Sequence, residues 1–344
     1  MRAIDFFCGA GGLTKGLSQA GIDVIAGIDI DPRCGLTYKT NNSSDFWETD
    51  IAEISSQDIF ERYPVLSNKN ETILFAACAP CQPFSMQRRI KRNTSDRLLL
   101  LHFGRIVSEC KPHWVLIENV PGITNKNNNT PIYEFIDILR DSNYELIYDV
   151  LNSKDYGVAQ NRRRYILIAS LKGEVSLPLK THGPKLHSYK TVRDAISHFP
   201  PISAGQTHPT IKNHVSSSLS DMNLTRIKNT PHNGGDRRSW PNSLILDCHK
   251  SHKGHTDVYG RMYWDRPAPT LTGKCISISN GRYGHPEQNR AISLREAATL
   301  QGYPEDYEFF GPLQSMALQI GNSVPVQLAK VLGKHILDLN HKIS

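Results

Sequence analysis

Long hydrophobic segments are absent from this sequence. The longest apolar runs, such as Leu98–Leu101, are much shorter than the roughly 18 residues that a membrane-spanning helix needs. A glycine-rich turn follows the first strand-like residues, so the start of the chain lacks the unbroken apolar core of a secretory signal peptide. We therefore expect a cytoplasmic protein without a membrane partner.

Cysteine is scarce, and the number of cysteines is odd. The 7 cysteines are scattered over 344 residues, unlike the paired framework of small secreted proteins, so we expect reduced thiols. Cys78 and Cys81 form a C-x-x-C pair. A zinc site would need two further ligands, and the dense cluster Cys248–His255 does not have a strong zinc spacing. We predict no metal site.

A redox function for the C-x-x-C pair is also disfavoured. Pro80 and Pro83 flank Cys81, and a long basic loop follows, whereas a thioredoxin-like pair lies at a helix N-terminus early in a small domain. The remaining interpretation of Cys81 is a nucleophile. Cys78 is interpreted as a small buried hydrophobic residue at a strand end.

The charge balance is moderately basic. Lys and Arg total 40 against 33 Asp and Glu, a formal net charge of +7, which fits a polyanionic partner. With 39% hydrophobic and 21% charged residues, the composition is that of an ordinary globular protein of one large or two smaller domains.

The first half of the chain has the pattern of an α/β domain. Short apolar, β-branched runs alternate with amphipathic stretches up to about Ser170, which predicts a doubly wound parallel sheet with crossover helices. The predicted strands are RAIDFF, VIAGIDI, TILFAAC, WVLIENV and RYILIAS. The segments LLLLHFGRIVSEC and IYEFIDILRDSNY are predicted helices.

The residue composition of the chain changes after Lys172. Pro, His, Ser, Asn and Gly become frequent and periodicity fades, which indicates a second, smaller and irregular domain. Helical patterns return in SLREAATLQGY and in NSVPVQLAKVLGKHILDL, where Val324, Leu328 and Ile336 share one apolar stripe. We assign residues 1–172 and 309–344 to the first domain and 173–308 to the second.

A glycine turn after the first strand indicates a ligand site. Gly9, Gly11 and Gly12 allow a close approach of the backbone, but the third glycine of a dinucleotide fingerprint is replaced by Thr14. Asp29, at the end of the second strand, is placed to accept hydrogen bonds from ribose hydroxyls, and Asp50 is placed to contact the base. An adenosyl ligand without a diphosphate, such as S-adenosylmethionine, fits these residues better than NAD or FAD.

Cys81 and Glu118 follow neighbouring strands of the predicted sheet. Ligand sites in α/β folds lie at the carboxyl ends of strands, so a thiol and a carboxyl group would share one crevice. This pair suggests nucleophilic attack on an electron-poor ring.

Six segments resemble, in order, the motifs of the DNA (cytosine-5) methyltransferases. DFFCGAGGL resembles the cofactor loop, APCQPFS the catalytic-cysteine motif and ENV the motif with the catalytic glutamate. YGVAQNRRRYIL resembles the Q-x-R-x-R motif, and RAISLREAATLQGYP and QIGNSVPVQLA resemble the ninth and tenth motifs. The resemblance implies a Rossmann-like, S-adenosylmethionine-dependent methyltransferase domain with an irregular target-recognition domain.

The resemblance also implies roles for individual residues. Cys81 would add to C6 of cytosine, Glu118 would engage N3, and Asn119, Arg162 and Arg164 would support them. Because a stacked base is out of reach, the target cytosine would be flipped out of double-stranded DNA.

Two larger sets complete the predicted site. Cofactor contacts are assigned to Phe7, Gly9, Ala10, Gly11, Gly12, Leu13, Asp29, Ile30, Asp50, Ile51, Pro80, Asn322 and Ser323. DNA contacts are assigned to Gln82, Ser85, Arg88, Arg89, Arg92, Arg237 and Arg238, and Trp240 and Arg261 are weighed as further candidates.

The expected protein is a monomeric, sequence-specific DNA cytosine-5 methyltransferase that protects host DNA beside a restriction endonuclease. One alternative is the related transfer-RNA methyltransferase branch, which usually carries a Cys-Phe-Thr triplet that is absent here. A catalytically inactive DNA-binding homologue is another, although Cys81 and Glu118 are both present. A nicotinamide oxidoreductase is disfavoured by Thr14 and would have no use for Cys81 or Glu118.

Overall fold

A computed structural model describes residues 1–80, 95–125, 130–250 and 257–343, and only the main chain of 95–97. The chain divides into two compact units. The first unit comprises Met1–Asn152, Arg163–Lys180 and Val324–Ser344, and the second comprises Ser153–Arg162 and Thr181–Ser323. Three short stretches differ from the domains expected from the sequence: 153–162 and 309–323 belong to the second unit rather than the first, and 173–180 belong to the first rather than the second.

Strands and helices alternate through most of the first unit. The strands are β1 Arg2–Phe6, β2 Asp23–Asp29, β3 Asp45–Glu48, β4 Ile73–Ala77, β5 Trp114–Asn119, β6 Glu145–Asn152 and β7 Arg163–Ser170. The helices of this unit are α1 Gly12–Ala20, α2 Pro32–Asn41, α3 Ser56–Arg62, α4 Ser95–Cys110, α5 Ile132–Asp141 and α11 Val326–Ile343. The helices of the second unit are α6 Val192–Ile196, α7 Asp221–Lys228, α8 Asp247–Lys250, α9 Leu294–Leu300 and α10 Leu313–Asn322.

The strands form one seven-stranded sheet in the order β3-β2-β1-β4-β5-β7-β6. Strands β1 to β5 are parallel to one another, so their carboxyl ends meet at one edge of the sheet. Every residue of β4 and β5 is buried, as expected for central strands covered on both faces. The rings of Phe6 and Phe75 lie 5.1 Å apart, and those of Phe6 and Phe103 lie 5.0 Å apart, within the hydrophobic core.

Strand β7 runs antiparallel to both of its neighbours, so the sheet is mixed rather than wholly parallel as expected. Glu118 lies opposite Ile166 and Asn119 opposite Tyr165. The beginning of β7 therefore lies at the same edge as the end of β5. The five predicted strands are confirmed, while β3 and β6, both at the margins of the sheet, were not predicted.

Helix α11 packs closely against α1. An added Cβ at Gly16 would lie 2.4 Å from the Cβ of Ala329, and one at Gly333 would lie 2.9 Å from the Cβ of Ala20. The predicted apolar stripe of α11 is buried. Trp114 in β5 also donates a hydrogen bond to Asn340 in α11 over 3.2 Å. Helix α11 therefore completes the first unit.

Buried arginines support the irregular backbone of the second unit, whose strand pairing in the described residues consists of isolated bridges. Arg261 is fully buried and donates hydrogen bonds to the carbonyl oxygens of Ile227, Thr230, His285 and Gln288 and to Oδ1 of Asn289. Arg290 makes two hydrogen bonds of 2.7 Å to the buried Glu296. The five N–H groups of an arginine thus bind carbonyl oxygens that the backbone N–H groups of a neighbouring strand would bind in a sheet.

Within the described residues, no helix combines the length and the apolar character needed to cross a bilayer.

Candidate active site

The loop between β1 and α1 needs glycine at two positions. Gly9 has φ of +51° and Gly11 has φ of +83°, a left-handed conformation that glycine adopts without steric cost. An added Cβ at Gly9 would meet nothing within 4 Å, so the space beside the loop is open. Of the other predicted cofactor residues here, Phe7 is half-buried, and Ala10, Gly12 and Leu13 are buried in the turn.

Asp5, which was not among the predicted site residues, holds this loop to the sheet. Its Oδ2 accepts hydrogen bonds from the backbone N–H of Thr14 over 3.0 Å and from the Thr14 hydroxyl over 2.6 Å. The N-cap residue Gly11 has no side chain to cap α1, so Asp5 performs that role from the neighbouring strand. Burial raises the pKa of the Asp5 carboxyl to about 7.

Asp29 ties the end of β2 to the same loop. Its Oδ2 accepts a hydrogen bond of 2.7 Å from the Gly9 N–H, and Oδ1 accepts one of 2.8 Å from the Asp31 N–H. Burial raises the pKa of Asp29 above its usual value. Each carboxylate oxygen keeps a second lone pair with which to bind a ligand hydroxyl.

Apolar surface accompanies these carboxylates. Ile30 is 64% exposed, while Ile51 is buried behind Asp50, whose Oδ1 accepts a hydrogen bond of 2.9 Å from the Ala52 N–H. Asp29 is the last residue of β2, and Asp50 follows the adjacent parallel strand β3. An open glycine loop, carboxylates that can accept hydrogen bonds from hydroxyls and an exposed isoleucine suit a nucleoside ligand.

Glu118 is buried at the end of β5 and faces Arg164 at the start of β7. Arg164 Nε lies 2.8 Å from Glu118 Oε1, with side-chain exposures of 11% and 3%. The antiparallel register explains why residues so distant in sequence meet. The N–H of Arg164 Nε does not point towards Oε1 closely enough to form a hydrogen bond, and no other described residue donates to this oxygen. This oxygen therefore keeps its capacity to accept a hydrogen bond from a ligand.

The thiol of Cys78 contacts the other oxygen of Glu118. Its Sγ donates to Oε2 over 2.8 Å, and the residue is half-buried. The interpretation of Cys78 as a buried hydrophobic residue is therefore wrong, because its thiol is a polar contact of the carboxylate. Sequence spacing alone does not reveal this contact, which depends on β4 and β5 being neighbours.

Asn119 positions the chain that leads towards Cys81. Its buried side chain donates from Nδ2 to the Ala79 carbonyl over 3.2 Å, and its Oδ1 accepts a hydrogen bond of 2.7 Å from the Val120 N–H. Pro80, the next residue, is half-buried. Cys81 and the predicted DNA contacts Gln82, Ser85, Arg88, Arg89 and Arg92 lie outside the described residues.

Three other predicted site residues belong to the second unit. The buried Arg162 donates hydrogen bonds to the carbonyl oxygens of Leu271, Gly321 and Ser323 over 2.7, 2.9 and 3.1 Å. The Ser323 hydroxyl lies 2.6 Å from the Tyr303 hydroxyl, while Asn322 is exposed. These contacts of Arg162 and Ser323 therefore stabilise the fold of their own unit.

The predicted DNA-contacting arginines of the second unit differ in exposure. Arg238 is 77% exposed, whereas Arg237 is buried. Trp240 and Arg261 are buried as well, so the interpretation that they touch DNA is not supported by their positions. Among the described residues, no cluster of His, Cys, Asp and Glu is arranged to hold a metal ion.

A family model for the C-5 cytosine-specific DNA methylases matches residues 1–338. The chain belongs to this family. The methyltransferase is 41% identical over 339 residues to the Type II methylase M.HgiDII of Herpetosiphon aurantiacus, covering 97% of this chain and 94% of the relative. It is 31% identical over 342 residues to the Type II methyltransferase M1.HphI of Haemophilus parahaemolyticus, covering 98% and 87%.

Solved structures show the same fold. A putative DNA modification methyltransferase encoded within an E. coli prophage superposes with a TM-score of 0.78 at 23% identity, covering 99% of each chain. The predicted family, the Rossmann-like α/β class and the assignment as a DNA (cytosine-5-)-methyltransferase are confirmed. The transfer-RNA alternative is not favoured by these relatives.

Proposed function

We propose that this DNA cytosine-5 methyltransferase takes its methyl group from S-adenosylmethionine and modifies a flipped cytosine within one short sequence of double-stranded DNA. The observation that carries the proposal is the buried Glu118 carboxylate. One oxygen contacts the Cys78 thiol, and the other faces Arg164 with hydrogen-bonding capacity left over. A carboxyl group held in this way is suited to bind the N3 edge of a single cytosine.

The cofactor would bind at the edge formed by the ends of β1, β2 and β3. The backbone of the glycine loop would approach it closely, Asp29 and Asp50 would accept its hydrogen bonds, and Phe7 and Ile30 would provide apolar contact. When bound, S-adenosylmethionine would supply an electrophilic methyl group to the activated C5 of cytosine. Its positive charge fits the carboxylates of this edge.

Cys81 is the proposed nucleophile, from its place in the catalytic-cysteine motif. Its thiolate would form a bond to C6, and the displaced ring electrons would make C5 nucleophilic. Glu118, once it carries a proton, would donate a hydrogen bond or that proton to N3 as negative charge develops there, and Arg164 would hold the Glu118 side chain in place. Loss of the C5 proton to water would then break the C6–S bond and release Cys81.

The biological setting is proposed from the relatives. Both relatives named above are described as Type II methylases or methyltransferases. We propose that this protein likewise modifies host DNA as a monomer, beside a restriction endonuclease with the same recognition sequence. Arg88, Arg89 and Arg92 would contact DNA phosphates near the target base.

Methyl transfer from labelled S-adenosylmethionine tests the reaction. Wild type, Cys81→Ala and Glu118→Gln are incubated with unmethylated DNA, with matched RNA and without acceptor, and the methylated cytosines are mapped. We expect incorporation into DNA at one motif, none with Cys81→Ala, and a loss of about 10² to 10⁴ in rate with Glu118→Gln. Incorporation into RNA alone, or none into any acceptor, would contradict the proposal.

Cofactor binding is measured separately by calorimetry with S-adenosylmethionine. Asp29→Asn should weaken binding, while the exposed Asp221→Asn in the second unit serves as a charge-matched control that should not. Equal affinities for wild type and Asp29→Asn would exclude Asp29 from the cofactor site.

A further inference from the structure

Arg238 combines two properties that seldom occur together on a protein surface. Its side chain is 77% exposed, yet its guanidinium is held in one orientation by Asp236. Arg238 Nε donates to Asp236 Oδ1 over 2.9 Å and Nη2 donates to Oδ2 over 2.6 Å. The backbone N–H of Arg238 also donates to Oδ1 over 3.0 Å. A single carboxylate therefore fixes both the main chain and the side chain of this arginine.

Asp236 is itself firmly supported. Its side chain is 6% exposed, and Arg282 Nη2 lies 3.5 Å from its Oδ2. The hydrogen bonds from Arg238 lower the pKa of Asp236 to about 2, so the carboxylate is ionised at neutral pH. The support for Arg238 is thus a fixed charge rather than a mobile surface group.

The backbone on both sides of Arg238 is also fixed. Gly234 has φ of +99°, and an added Cβ there would come within 1.9 Å of the Tyr263 ring. Arg282 donates to the Gly234 carbonyl over 2.8 Å. After the turn, the buried Trp240 donates from Nε1 to the Thr230 hydroxyl over 2.8 Å. An exposed arginine is therefore presented from a rigid segment.

The hydrogen-bonding pattern identifies what Arg238 would bind. A guanidinium has five N–H groups, of which the Nε–H and one Nη2–H are directed to Asp236. The edge formed by Nη1 and the outer N–H of Nη2 still offers two parallel donors. In the DNA major groove, guanine presents O6 and N7 as paired acceptors for such an arginine edge. We propose that Arg238 reads one guanine of the recognition sequence, with Asp236 as its positioning residue.

This inference rests on the proposed sequence-specific methylation of DNA, and it separates base reading from phosphate binding. A phosphate contact depends on net positive charge, which Asp236 largely cancels here. A base contact depends on a fixed direction, which Asp236 provides. Arg266 serves for comparison, because it is exposed in the same unit but is not held by Asp236. Its guanidinium lies 4.1 Å from the centre of the Tyr263 ring.

The experiment compares wild type, Arg238→Ala, Arg238→Lys, Asp236→Asn and Arg266→Ala. Initial methylation rates and anisotropy binding constants are measured on duplexes in which each base pair of the mapped motif is replaced in turn. A further duplex carries 7-deazaguanine, which lacks the N7 acceptor. Thermal unfolding of each variant checks that the fold is intact.

We expect wild type to lose roughly ten- to hundredfold in rate when one particular guanine is replaced. Arg238→Ala should lose a similar factor on the intact motif and become indifferent at that position. Arg238→Lys should not restore discrimination, because a point charge lacks the paired donors. Asp236→Asn should lose part of the discrimination, and Arg266→Ala should keep all of it.

Two results for Arg238→Ala would overturn the assignment. The variant could keep the wild-type base preference at every position. Alternatively, it could bind all duplexes more weakly by the same factor, with a shallower dependence of binding on salt, which indicates a phosphate contact. Wild-type methyl transfer to the intact motif tests the proposed function in the same series. If wild type transfers no methyl group to DNA, that function fails. The preferred sequence is then selected by binding from a pool of random duplexes, and anisotropy on its single-base replacements still decides whether Arg238 discriminates guanine.

Discussion

Glu118 is the residue on which the candidate chemistry depends, and its surroundings come from three different strands. Cys78 follows β4, Glu118 lies in β5, and Arg164 lies in β7. A carboxylate buried to this degree is costly unless a cation or hydrogen-bond donors compensate its charge. Arg164 is the cation that contacts Glu118.

Replacing Arg164 by alanine should destabilise the protein by about 3 kcal/mol, because Glu118 would be left as an uncompensated buried charge. Urea unfolding followed by linear extrapolation measures the change. Arg193→Ala is the control, because its ion pair with Asp265 is exposed at the surface, and it should cost far less. Equal effects of the two substitutions would mean that Arg164 does not compensate Glu118.

The motifs predicted Glu118 and Arg164 as members of one site, but the functions of Cys78 and Asp5 were not predictable from the sequence. Both functions depend on the pairing of strands rather than on spacing along the chain. Cys78 contacts Glu118 because β4 and β5 are neighbours. Asp5 caps α1 from β1 because the intervening turn folds back.

Among the secondary-structure elements, the strongly apolar ones were predictable and the marginal ones were not. The five predicted strands are short runs of apolar residues. Strand β3 has only 4 residues, and β6 is only partly buried at the sheet margin, so neither has a clear hydrophobic pattern. The direction of β7 cannot be read from its sequence, since an apolar strand can pair with its neighbours in either direction.

The close contact of α1 with α11 gives a prediction for these helices. Gly16→Ala should destabilise the protein by about 1 to 3 kcal/mol, because the new methyl group would meet Ala329 and the backbone of α11. Gln19→Ala, on the exposed face of α1, should change stability little. Calorimetric unfolding of both variants measures the difference. A Gly16→Ala variant as stable as Gln19→Ala would show that the two helices can separate without cost.

Two buried carboxyl groups make the stability of the whole molecule depend on pH, each over its own pH range. Burial raises the pKa of Asp5 from 3.8 to about 7, whereas the hydrogen bonds from Arg238 lower the pKa of Asp236 from 3.8 to about 2. Asp236 contributes stability above its unfolded pKa that is lost as the pH falls towards 2. Asp5 contributes stability below pH 4 that is lost as the pH rises through 7.

The Asp5 contribution can be isolated with Asp5→Asn, which retains an oxygen to accept both Thr14 hydrogen bonds. Between pH 4 and 7, the folded protein holds a proton that the unfolded chain has released. The free energy of unfolding of wild type relative to Asp5→Asn should therefore fall with rising pH, by at most about 1.4 kcal/mol per pH unit. Urea unfolding at several pH values measures this slope. Parallel curves would mean that Asp5 ionises normally in the folded protein.

The position of α11 also bears on how the protein is made. Residues 1–152 and 163–180 of the first unit emerge from the ribosome early, but α11 is translated only after residues 181–323. At a translation rate of roughly 5 to 20 residues per second, α11, which covers α1, is synthesised on the order of ten seconds or more after the strands of the sheet. A nascent chain interrupted in the second unit would lack this helix. Interrupted synthesis would therefore leave all seven strands with α1 uncovered rather than a partly active methyltransferase, and the apolar surface exposed in this way is a substrate for chaperones and proteases.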